Sequence, residues 1–161
     1  MIMELKNILV GQSGGPTAVI NSSLYGAAAQ ARLHPEKIGK CFGMVNGIEG
    51  FLKGKVLDLD EALPGDELKG LLTTPGAYLG SCRYKLPEDL EDPVYRTLFE
   101  KFEDMGIGYF LYIGGNDSMD TIKKLSDYAI LTGQSQKFVG VPKTIDNDLA
   151  LTDHTPGYGS A

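Results

Sequence analysis

Apolar runs alternating with glycine-rich breaks set the pattern of this chain. Lys6 to Val10 reads as a buried strand ending in Gly11-Gln12-Ser13-Gly14-Gly15-Pro16. A helix is expected from about Thr17 to Leu33, because Ala27, Ala28, Ala29 and Ala31 favour helix and close packing. Pro35 and Gly39 end it. A short strand near Lys40 to Met44 precedes Asn46-Gly47, a turn signal. Glu61 to Leu72 reads as a weak helix interrupted by Pro64-Gly65, and Thr73 to Arg83 as a glycine-punctuated strand and loop.

Pro93 suits the first turn of a helix running to about Met105. Val94, Leu98, Phe102 and Met105 recur on it at helical spacing, which marks a core face. Gly106 and Gly108 end that helix, and Tyr109 to Ile113 is the next strand. Asp117 or Ser118 is placed to cap a helix reaching about Leu131, with Gly133 as its stop. Phe138 to Val141 is a further strand. The order β-α-β-(mixed)-α-β-α-β predicts an α/β fold, a mostly parallel, doubly wound, Rossmann-like sheet with helices on both faces.

A length of 161 residues suits one domain with a sizeable core. The net charge of -6 disfavours a nucleic-acid binder and leaves phosphorylated small molecules open, because local fields outweigh the total. The 21 glycines exceed the usual ~7% and cluster beside strands, which points to tight turns and close approach to ligands. Cys41 and Cys82 have no metal or redox spacing and read as free thiols of a reducing cytoplasm. No apolar stretch reaches membrane-span length, so no membrane partner is expected and the cytoplasm is the default. The run Thr155 to Ala161 reads as a loop leading into a helix, so the chain is expected to be the N-terminal portion of a longer protein.

Four loop segments carry the candidate chemistry. Gly14 and Gly15 stand between a strand and a helix, where backbone N–H groups and the helix dipole can face an anion. Neither the dinucleotide fingerprint nor the Gly-Lys-Ser/Thr phosphate loop is matched there, which argues against a nicotinamide enzyme. Gly114-Gly115-Asn116-Asp117-Ser118 repeats the logic with polar groups added: Asn116 can ligate a cation and Ser118 can bond a phosphate, whereas Asp117 repels one. Arg83, after Gly80-Ser81-Cys82, offers a fork suited to a phosphoryl group. Pro142-Lys143-Thr144-Ile145-Asp146-Asn147-Asp148 packs a cation, a hydroxyl and two carboxylates into a loop after a strand. Asp146 and Asp148 point the same way if extended, one as a base and one toward a metal. Plain alternatives are a βα turn, a helix cap at Asp117, a surface ion pair for Arg83 and an Asx turn at Asp146.

These loops, in this order, resemble the phosphofructokinase family. The likeness runs through Ser13-Gly14-Gly15 with Asn21, Asn46-Gly47 with Gly50, Gly80 to Arg83, Gly114 to Ser118, Thr144 to Asp148, and Thr155 with Gly157. It implies that Asp146 is the base on the sugar 1-hydroxyl and that Thr144 and Ile145 are substrate contacts. It places Gly14, Gly15, Arg83, Gly115, Asn116, Asp117 and Ser118 on the phosphoryl-donor side. Mg²⁺ is the implied cofactor. Asn116 stands where the family usually has an aspartate that helps bind it, and Asp148 is then a compensating carboxylate.

ATP-dependent members typically carry glycine where this chain has Asp117 and Lys143. Those substitutions resemble the pyrophosphate-dependent branch: a carboxylate repels a nucleotide's α-phosphate and a lysine neutralises a short phosphate chain. The resemblance thus implies transfer from pyrophosphate to fructose 6-phosphate, with Asp146, Lys143, Asp117 and Arg83 as the catalytic set and a homo-oligomer at full length. The rival readings are an ATP-dependent phosphofructokinase and a non-catalytic phosphate-binding subunit. The family's grip on the sugar 6-phosphate lies largely beyond Ala161, so little turnover is expected from these residues alone.

Overall fold

The computed structural model describes residues 5–17, 19–146 and 150–151. Its centre is strand β1 (Lys6–Gln12), buried on both faces from Ile8 onward. Side chains alternate across a strand, so Leu9 enters one core while Ile8 and Val10 enter another. Helix α1 (Ile20–Leu33) follows, then β2 (Ile38–Met44), the short helix α2 (Gly47–Leu52), β3 (Val56–Asp58) and α3 (Leu59–Ala62). A 3-10 helix covers Gly65–Leu72, and α4 (Pro93–Asp104), β4 (Ile107–Gly114), α5 (Asn116–Thr132) and β5 (Lys137–Pro142) complete the order.

The five strands of the described residues lie in the order β3-β2-β1-β4-β5. All neighbours pair in parallel except β2 and β3. One core joins Leu9, Phe110 and Tyr112 to α2, α4 and α5, and the other joins Ile8, Val10 and Ile113 to α1 and the 3-10 helix. The expected doubly wound α/β sheet with helices on both faces is therefore observed. The chain leaves β1 first toward β2 and later places β4 on the opposite side. Ligands of open α/β sheets bind at such a reversal, outside the carboxyl ends of the strands.

Local expectations differ in four places. Thr73 to Arg83 forms no strand, because side chains rather than a neighbouring strand take up its backbone groups. Asn21 donates to the Thr74 and Gly76 carbonyls at 2.8 and 2.9 Å and accepts from the Tyr78 N–H, while Gln12 accepts from the Leu79 N–H. Asn46-Gly47 opens α2 instead of a simple turn, with Asn46 left-handed at φ 59°. Gly115, not Asp117 or Ser118, is the N-cap of α5, which puts Asp117 in its first turn. On α4 the buried face is Tyr95, Leu98, Phe99 and Phe102, while Val94 and Met105 sit at its margins. Pro93 holds the first turn of that helix as expected, with the Asp92 carboxylate accepting from the Val94 N–H.

Candidate functional site

Three chain segments converge beyond the carboxyl ends of β1, β4 and β5. The β1 loop is tied to β4 by the Ser13 N–H, which donates to the Ile113 carbonyl at 2.9 Å. The β5 loop is tied to the same strand by the Lys143 N–H, which donates to the Gly114 carbonyl at 2.9 Å. The third segment, running from Ser81 toward Leu90 without helix or strand, crosses the β1 loop as a strap. Its Ser81 hydroxyl donates to the Gly14 carbonyl, and its Cys82 carbonyl accepts from the Gly14 N–H at 3.2 Å. Gly14 sits at φ +74° in this crossing, a backbone conformation side chains disfavour.

Two adjoining clefts result. The first, about 220 Å³, is walled by Gly15, Pro16, Thr17, Gly115, Asn116, Lys143, Thr144, Ile145 and Asp146. The second, about 380 Å³, lies between the strap residues Cys82, Arg83 and Tyr84, the β1 loop, and Gly115 to Ser118. Gly15, Gly115, Asn116 and Lys143 belong to both. All the sequence-predicted residues that are described thus face one of the two clefts. Asp148 lies outside the described residues.

Lys143 stands between the clefts. It is 7% exposed, and its ammonium donates to the Gly15 carbonyl. Burial lowers its pKa below the ordinary lysine value, and the nearby Arg83 guanidinium lowers it further. Two cations lining one cleft, one of them buried, favour an anion there. The first turn of α5 adds the positive end of its helix dipole.

The other predicted residues differ in exposure. Ser118 is buried beside Gly114, with its N–H on the Gly115 carbonyl at 2.9 Å. Thr144 is buried, and its hydroxyl accepts from the Asp146 N–H at 3.0 Å, which fixes the turn presenting that carboxylate. Asp146 and Arg83 are exposed, as is Ile145 at 60%.

Three features escaped the sequence reading. Lys85 forms an ion pair with Asp117 at 3.2 Å. Its signal was there, a second cation two residues past Arg83, but only the fold shows that the strap faces α5. Lys124 on α5 is nearly buried and holds the far end of the strap, donating to the Leu86 carbonyl at 3.1 Å and to Glu88 at 2.6 Å. Gln12 and Asn21 form a buried pair at 2.9 Å behind the β1 loop. The cysteines are free, as expected, and burial pushes the Cys41 thiol up to about 12, which leaves it unreactive.

Comparison with known proteins bears on this geometry. The sequence model of the family described as Phosphofructokinase matches residues 7–161. A protein of Methylococcus capsulatus named pyrophosphate--fructose 6-phosphate 1-phosphotransferase is 42% identical over 160 residues, 98% of this chain and 38% of the relative. An ATP-dependent 6-phosphofructokinase of Vibrio parahaemolyticus is 32% identical over 157 residues, 98% of this chain and 44% of the relative. The crystal structure of a pyrophosphate-dependent phosphofructokinase from Marinobacter aquaeolei superposes with a TM-score of 0.83 at 46% identity, over 96% of this chain and 38% of that one. The chain thus spans well under half the length of these relatives.

Proposed function

Because the chain belongs to the phosphofructokinase family, we propose that residues 1–161 carry the donor-binding and catalytic part of an enzyme that moves a phosphoryl group from pyrophosphate to fructose 6-phosphate. The products are fructose 1,6-bisphosphate and phosphate. The observation that carries this reading is Lys143: a buried ammonium beside Arg83, between two clefts, at the first turn of a helix. Such a site suits a short, highly charged phosphate chain. Asp117 supports the choice of donor, because a carboxylate in that first turn opposes a further phosphate.

The chemistry divides between the clefts. Asp146, in the first, accepts the proton of the sugar 1-hydroxyl while Thr144 and Ile145 flank the acceptor. The hydroxyl oxygen bonds to the terminal phosphorus as the bridging P–O bond breaks, and phosphate departs with that bond's electrons. Lys143, Arg83 and the α5 N–H groups hold the oxygens on which charge develops. Gly14, Gly15, Gly115 and Ser118 let the backbone close on the donor. Positioning and electrostatics do most of the work, since transfer leaves little covalent chemistry to the protein.

Mg²⁺ is the implied metal. An ion carried by phosphates needs only one or two carboxylates from the protein, and Asn116 and Asp117 put oxygen donors on the second cleft, so the donor set fits it. Asn116 would hold the ion with Asp148. When bound, it would offset charge on the donor's oxygens.

The substrates are small and water-soluble, which suits a cytoplasmic enzyme, and no described helix is long and apolar enough to cross a membrane. A homo-oligomer is the expected full-length form. The test has two arms. Calorimetric titration of the chain with magnesium pyrophosphate and with MgATP should show binding of the first and much weaker binding of the second. A chimera in which this chain replaces the matching segment of the Methylococcus relative should turn over fructose 6-phosphate with pyrophosphate. A chain that prefers MgATP, or a folded chimera active only with ATP, overturns the donor assignment.

A further inference from the structure

Asp117 brings negative charge to a cleft otherwise built for anions, and it is paired with a cation from just outside the cleft's lining. Lys85 places its ammonium 3.2 Å from the Asp117 carboxylate, with the two side chains 73% and 74% exposed. Water therefore screens the pair, and proximity rather than burial maintains it. The proximity is set by the fold. The strap bearing Lys85 is fixed before it by the Ser81 contact with Gly14 and after it by Lys124 on the Leu86 carbonyl. Lys124 and Asp117 belong to the same helix, so α5 positions both partners.

We propose that Lys85 is a specificity-determining residue that sets how long a phosphate chain the cleft accepts, its ammonium being withheld from the ligand by Asp117. This rests on the pyrophosphate reading above. A two-unit donor is served by Lys143, Arg83 and the first turn of α5. A third unit has to enter beside the Asp117 carboxylate, and Lys85, the cation next to it, is already engaged. Removing the carboxylate clears the repulsion and at the same time frees Lys85 to meet the third unit. Selectivity therefore resides in the pair, not in the carboxylate alone.

Inorganic tripolyphosphate is the probe, because it lengthens the chain without adding a nucleoside. Its magnesium complex is titrated calorimetrically into the 161-residue chain, alongside magnesium pyrophosphate. Asp117→Gly should bind tripolyphosphate about tenfold more tightly than the unmutated chain, the weight of one charge-assisted hydrogen bond. Adding Lys85→Met should remove most of that gain, and Lys85→Arg in its place should retain it. The gain should shrink as salt is raised. Both residues are exposed, and matched thermal unfolding of the variants checks that folding is unaffected. If Asp117→Gly gains nothing, or keeps its whole gain with Lys85→Met, the proposal is wrong. An unmutated chain that binds tripolyphosphate as tightly as pyrophosphate overturns the donor reading itself, and this is read without any variant, so the two failures are distinguishable.

Discussion

Ser118 leaves no room for a side chain at Gly114: a Cβ there would stand 1.9 Å from the Ser118 Oγ and 2.5 Å from its Cβ. This contact sets how closely the end of β4 meets the start of α5, and so where the first turn of that helix points. Gly114→Ala should therefore destabilise the fold by about 1–3 kcal/mol, the range for overpacking a tight site. Trimming the neighbour should relieve it, so Ser118→Gly in the same chain should recover part of the loss. Thermal unfolding of the single and double variants checks this, and a Gly114→Ala chain as stable as the parent would show that the β4–α5 junction is looser than its geometry indicates.

Lys143 separates function from stability. Its lowered pKa means that the unfolded chain binds more protons between the folded value and the ordinary lysine value of about 10.4. Stability should consequently rise with pH through that window. Pyrophosphate binding should move the opposite way, falling as pH climbs through the folded pKa and the ammonium loses its charge. Lys143→Met should weaken pyrophosphate binding roughly 10- to 100-fold, the worth of lost hydrogen bonds to a charged group, while leaving the melting temperature unchanged or higher at neutral pH. Calorimetry and unfolding across pH measure both. A variant that melts earlier and binds normally would make Lys143 a structural residue.

The parts of this site that were legible in the sequence are those that depend on local order. A strand followed by Gly14-Gly15, by Gly114-Gly115 or by Lys143-Thr144 places each loop at a strand's carboxyl end, and the parallel topology then brings them together. The long helices were legible for the same reason: the spacing of Leu98 and Phe102 and the glycine at 133 are local signals. The strap was not. The segment Thr73 to Arg83 that leads into it has the glycines and apolar residues of a strand, yet four of its hydrogen bonds go to the side chains of Asn21 and Gln12, more than fifty residues away in sequence. Lys85 and Lys124 were overlooked because their partners, Asp117 and the Leu86 carbonyl, become neighbours only after folding. The short strand β3 and helix α2 lack the length to show a period.

Asp146 should affect turnover without being needed to hold the donor. Its N–H is fixed on Thr144 and its carboxylate is exposed to the first cleft. Asp146→Asn removes the proton acceptor and keeps the shape. In the chimera it should lower turnover by about 10²- to 10⁴-fold, the usual contribution of a positioned base. Pyrophosphate binding by the chain itself should be no weaker, since a negative charge has left an anion site. Turnover that survives the change would move the base elsewhere, and a large loss of pyrophosphate affinity would reassign Asp146 to the donor side.

Asn21 reaches the site only through other residues. It is 2% exposed and sits in a closed set of bonds: it accepts from Gln12 and the Tyr78 N–H and donates to the Thr74 and Gly76 carbonyls. Gln12 in turn accepts from the Leu79 N–H at 2.9 Å, and the Leu79 carbonyl accepts from the Asn46 N–H at 2.8 Å. That chain of bonds leads directly into the strap at Ser81 and Arg83. Asn21→Ala leaves several buried groups without partners at about 1–3 kcal/mol for each that water cannot reach, so a total loss near 3 kcal/mol is expected in a denaturant titration. Gln12→Ala should cost a comparable amount, and the double variant should cost less than the sum, because both act through one network. Asn21→Asp separates the two halves of the role, since it keeps the acceptor and removes the donors to Thr74 and Gly76. It should destabilise while retaining the bond to Tyr78, and hydrogen exchange should then speed up at residues 73–76 more than at 78–79. Strict additivity of Asn21→Ala and Gln12→Ala would show that the two amides act independently and that the strap is held by its ends alone.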